Sequence, residues 1–91
     1  MKWLEIIKLR SAGNNSGLLK ELLLSIDKLS QSELVEMKPY HHAALETDLS
    51  VHLLWKSGKP EQNGSALGLR LAQALKEFGL IDHSVWIEEV K

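Results

Sequence analysis

The sequence predicts an α+β fold: a two-layer sandwich of one four-stranded antiparallel sheet with two helices on one face. Three observations predict it. Short segments rich in β-formers recur along the chain, and residues 49–55 alternate cleanly between apolar and mixed positions. Two other segments repeat leucine at helical spacing. The resulting order is strand, helix, strand, strand, helix, strand, in which each helix joins two strands.

The first strand spans residues 3–10, Trp-Leu-Glu-Ile-Ile-Lys-Leu-Arg. It is too short for a good helix and rich in β-formers. One face carries Trp3, Glu5, Ile7 and Leu9; the other carries Leu4, Ile6, Lys8 and Arg10. Both faces are largely apolar. The run Ser11–Gly17 has loop composition. A first helix is expected from Ser16 as N-cap to about Leu29, with Leu18, Leu19, Leu22, Leu23, Ile26 and Leu29 along one side.

The second strand is expected over 33–43, and Pro39 places it at a sheet edge, because proline cannot donate to a ladder. The third strand, 49–55, sets Leu49, Val51, Leu53 and Trp55 on one face and Ser50, His52 and Leu54 on the other. Residues 56–64 are rich in Gly, Pro and Asn. Ser65 then caps a second helix expected to run to about Phe78, with Gly79 as a left-handed C′ residue. The last strand is expected over 83–90. Right-handed crossovers place both helices on the same sheet face.

Composition narrows the function classes. A chain of 91 residues makes a single domain, 1–91. With 11 basic and 12 acidic residues the net charge is −1, so nothing draws it to nucleic acid or an anionic membrane. The absence of cysteine excludes disulfides, zinc ribbons and thiol nucleophiles. No secretory leader or membrane-spanning stretch is visible, so a cytoplasmic location is the default expectation. The strand-then-helix loop 11–17 lacks a Walker frame, and the third strand, Leu-Ser-Val-His-Leu-Leu-Trp, lacks an RNA-recognition motif.

The element order resembles the ferredoxin-like fold. The short strands, the breaker-rich loop after the third strand and the closing Val85-Trp-Ile-Glu88 strand resemble the dimeric α+β barrel proteins, among them the antibiotic-biosynthesis-monooxygenase-like families. The resemblance covers most of the chain and is architectural. It implies a homodimer in which two open sheet faces pack together around a ligand cavity. Those families include haem degraders and oxygenases of polyaromatic substrates. The haem degraders use an Asn on the first strand with a Trp and a His; here the nearest are Asn14 and Asn15, in the following loop.

Chemistry-bearing residues are few. His41, His42, His52 and His83 have no metal-motif spacing, and neither a metal nor a cofactor is expected. If the second and third strands form a hairpin, His52 could lie across the ladder from His41 or His42. His83 follows the second helix and shows no orienting partner in the sequence. Trp3, Trp55 and Trp86 lie on three different strands; Trp55 shares a face with Leu49, Val51 and Leu53 and is assigned to the core. The expected ligand pocket is His41, His52 and Trp86. The expected function is that of a small homodimeric ligand-binding or accessory protein without its own chemistry. The alternatives are a cofactor-independent oxygenase-like enzyme and a subunit that binds another protein through its open sheet.

Overall fold

The computed structural model describes residues 2–11, 21, 33–45, 47–56 and 60–89. The chain forms β1 (Trp3–Ser11), β2 (Leu34–His41) and β3 (Asp48–Trp55). These are followed by α1 (Ala66–Leu75), a 3-10 turn (Lys76–Phe78) and β4 (Gly79–Ile87). The strands make one sheet in the order β2-β3-β1-β4, and every neighbouring pair is antiparallel. This is the ferredoxin-like order, with β2 and β4 at the edges. Pro39 therefore stands on an edge strand, as the sequence requires. The first helix, expected over 16–29, lies outside the described residues apart from Glu21, which is exposed.

The core is one-sided. Trp3, Ile7 and Leu9 of β1 and Val51, Leu53 and Trp55 of β3 are buried with Leu67, Leu71, Ala72 and Leu75 of α1. Strand alternation puts the six sheet residues on one face, and the helical repeat turns Leu67, Leu71 and Leu75 toward them. Trp3 and Trp55 stack with ring centroids 5.4 Å apart and an interplanar angle of 16°. Both belong to the core, as the alternation of β3 indicates for Trp55.

α1 begins where expected. The Ser65 hydroxyl oxygen accepts a hydrogen bond from the Gly68 N–H at 2.9 Å, which satisfies one of the free amides of the first turn. Two boundaries differ from expectation. The α-helix closes at Leu75, and Lys76–Phe78 tighten into a 3-10 turn. β4 then starts at Gly79 rather than near residue 83. Gly79 is extended, with φ 160° and ψ −155°, so it is not a left-handed cap. Its constraint is steric: a Cβ there would collide with the Arg10 carbonyl oxygen on β1. The sheet, not the helix terminus, demands this glycine.

Candidate functional site

Three places could carry function: the open sheet face, a cleft at one end of the sheet, and a polar group under α1.

The open face is the one opposite α1. Its central row runs Leu54 (β3), Leu4 (β1) and Trp86 (β4), with Glu36 of β2 at the far edge. The next row holds Lys38, His52, Ile6 and Ser84. Trp86 is 59% exposed and Leu80, farther along β4, is 73% exposed. The Trp86 indole donates to the Ser84 hydroxyl at 2.9 Å, so its polar edge is satisfied within its own strand. His52 is half-buried, with its ring 4.5 Å from that of Tyr40 and its Nε2 3.4 Å from the Ser50 hydroxyl. Burial, and then the nearby Lys8 ammonium, lower its pKa from the ordinary 6.5. The ring at the centre of this face is therefore neutral at pH 7.

The cleft, of about 540 Å³, lies at the sheet end. Among the described residues Lys8, Arg10, His41, His42, Asp48 and Asp82 give it its polar lining. Its size suits a small ligand. Arg10 and Asp48 pair at 3.7 Å in a partly solvated setting, which contributes little to stability. The His42 Nδ1 accepts from the backbone N–H groups of Ala44 and Leu45 at 3.0 and 3.1 Å, and so closes the β2–β3 turn.

The structure distributes the expected pocket residues. His41 borders the cleft and pairs in register with Leu49. His52 pairs with Lys38, not with His41 or His42, because the hairpin register sets His41 three residues from the His52 row. His52 and Trp86 share the open face but have β1 between them, a separation of roughly 10 Å from strand spacing alone. By strand alternation His41 points to the opposite side. Among the described residues no group of three His, Asp or Glu side chains is placed to hold a metal ion.

The third place is one that sequence reasoning missed. Glu5 lies on the α1 side of β1 and is fully buried. One carboxylate oxygen, Oε1, accepts from the Trp55 indole N–H at 2.8 Å. The other, Oε2, lies 2.8 Å from the His83 Nε2. β1 and β4 bring the two together: His83 pairs with Ile7, one same-face step from Glu5. Gly68 of α1 sits directly over the carboxylate, and a Cβ there would collide with Oε2. Thus His83 does have an orienting partner. The signal was in the first strand: a carboxylate among Trp3, Ile7 and Leu9 on a core-facing side needs a buried donor.

No family model matches the chain, and no curated protein matches it. Solved structures do share its fold. One is SnoaB, a cofactor-independent oxygenase from Streptomyces nogalater, as the N63A mutant. It has a TM-score of 0.69 and 9% identity, covering 99% of this chain and 95% of that one. Another is Rv0793 from Mycobacterium tuberculosis, with a TM-score of 0.66 and 14% identity, covering 100% and 98%. The architectural resemblance to the dimeric α+β barrel proteins is thereby shown. At these identities the likeness is one of fold and carries no residue roles. No helix among the described residues is long and apolar enough to cross a membrane.

Proposed function

We propose that this chain works as a homodimer, packed open sheet to open sheet, and binds a small organic molecule in the space the pairing encloses. The observation that supports this reading is the contiguous row Leu54–Leu4–Trp86, flanked by Ile6, on the face that α1 does not cover. Large exposed apolar patches mark interaction surfaces. The charges on this face have both signs, Glu36 and Asp82 against Lys8 and Lys38, so two copies can meet without a net clash. A neutral His52 adds no buried charge to the contact. Sedimentation equilibrium over a range of concentrations tests it. A mass of twice 10.2 kDa supports the reading. A monomer at every concentration overturns it and turns attention to a different protein as the occupant of the face.

A second reading, an oxygenase-like enzyme working without a cofactor, draws support from the fold shared with SnoaB. Oxygen uptake with electron-rich hydroxyaromatic compounds separates the two. Saturable binding without uptake favours the binding protein, and turnover favours the enzyme.

A further inference from the structure

We propose that His83 is a proton-accepting residue, positioned by Glu5, for a neutral weak acid bound at the β4 side of the sheet. This shares with the reading above only the premise of a bound small molecule, and it does not depend on dimerisation.

The case starts from the cost of Glu5. A carboxylate with no exposed surface, set among Trp3, Ile7, Leu53 and Val85, is an expensive way to fill a core. Two elements are shaped to admit it. α1 carries glycine at 68, where any Cβ would strike Oε2. The turn before it carries Gly64 at φ +100°, where a Cβ would strike the His83 Cε1. The carboxylate and the ring are thus seated by glycines on two sides.

The hydrogen bonds fix which ring nitrogen is left over. Indole can only donate, so Oε1 is an acceptor toward Trp55. The 2.8 Å contact between Oε2 and Nε2 has the length of a charge-assisted bond, with the Nε2–H donating to the carboxylate. In the neutral ring this places the lone pair on Nδ1. Among the described residues Nδ1 has no hydrogen-bond partner. No fully buried side-chain nitrogen or oxygen among the described residues lacks one, so Nδ1 meets solvent. The His83 side chain is 14% exposed, which makes the opening narrow. Gly64 packs against the Cε1–Nε2 edge of the ring, where a Cβ would collide with both atoms, so the ring is held on the side away from Nδ1.

Electrostatics selects the ligand. While the ring is neutral an anion is repelled by the Glu5 carboxylate, and the Nδ1 lone pair calls for a ligand with a proton to give. A neutral weak acid, such as an acidic hydroxyl, fits. Its O–H bond breaks, and the electron pair stays on its oxygen. The proton bonds to the Nδ1 lone pair. The resulting imidazolium is paired with the Glu5 carboxylate on one side and with the new anion on the other. The proton returns when the ligand leaves. A single histidine backed by a carboxylate also suits a metal ligand, but no second and third ligand stand beside it among the described residues.

The test uses the full chain with para-nitrophenol as the neutral acid. Two-bond proton–nitrogen NMR of the neutral ring should show His83 protonated on Nε2. Glu5→Gln keeps an acceptor for Trp55 but presents an amide N–H to His83, so the tautomer should move to Nδ1–H. In parallel, at a pH where para-nitrophenol is mostly neutral in free solution, wild-type protein should raise the visible absorbance of the phenolate. That rise should be lost in Glu5→Gln and in His83→Gln. If His83→Gln does not fold, Glu5→Gln alone decides. An Nδ1–H tautomer in the wild type, no rise in phenolate, or a rise that survives both substitutions overturns the proposal.

Discussion

Glu5 shows how one charged residue can organise three elements. Its two oxygens tie β1 to Trp55 of β3 and to His83 of β4, and its bulk sets what α1 can carry above it. Glu5→Ala removes the acceptor for the indole and for the imidazole and leaves a hole under α1. We expect a loss of about 3 kcal/mol or more, the range for breaking a buried pair, read by urea unfolding. A loss within the error of the fit would mean that the carboxylate is seated in water rather than in the core. His52 makes a second prediction at this scale. Its folded pKa is lowered by burial and then by Lys8, so the folded ring takes up its proton at a lower pH than the unfolded one. Between the two values the unfolded chain binds more protons. Stability therefore falls as the pH drops below about 6.5 and levels off once the folded ring has also titrated. His52→Gln should flatten that limb of the unfolding free energy plotted against pH. Parallel curves for the two proteins would refute it.

Among the elements, α1 is where local preference and tertiary contact disagree. On helix propensity alone Gly68→Ala should gain about 1 kcal/mol. The collision of the new Cβ with the Glu5 carboxylate reverses the sign, because the obstacle is a buried group tied at both ends. We expect a lower melting temperature for Gly68→Ala, and a smaller penalty for it in a Glu5→Ala background, measured as a double-mutant cycle. Additive effects would show that the two residues do not touch. By contrast, Ser65→Ala should cost about 1 kcal/mol in either background, since the cap acts on the Gly68 amide and not on its missing side chain.

At the scale of the molecule, the sheet is filled on one side and open on the other. Ile7, Leu9, Val51 and Leu53 are buried in one core with Leu67, Leu71 and Leu75 of α1. Leu4, Ile6, Leu54 and Trp86 face away from it. Ile6→Lys puts a charge at the middle of the open face without touching the packed one. We expect the variant to keep its far-UV circular dichroism and to sediment as a monomer at concentrations where the wild type is dimeric. A variant that still dimerises would move the contact elsewhere on the surface.

The sequence by itself determined the architecture. Alternation, helical spacing and element order gave four strands and the helix after residue 65. Pro39 marked an edge, Ser65 marked a cap, and the two apolar faces of residues 3–10 marked a sheet with more to cover than one helix layer. These features are local, and periodicity records them directly. Only the tertiary structure decided who meets whom. Register put Lys38, not a histidine, opposite His52. Close approach of two strands, not a helix cap, explained Gly79. The Glu5–His83 contact joins residues 78 positions apart, and it exists because β1 lies between β3 and β4 in the sheet. No spacing in a single sequence encodes that contact. A lone carboxylate on a core-facing strand could signal that a partner was required, but the strand order alone supplied His83 and Trp55.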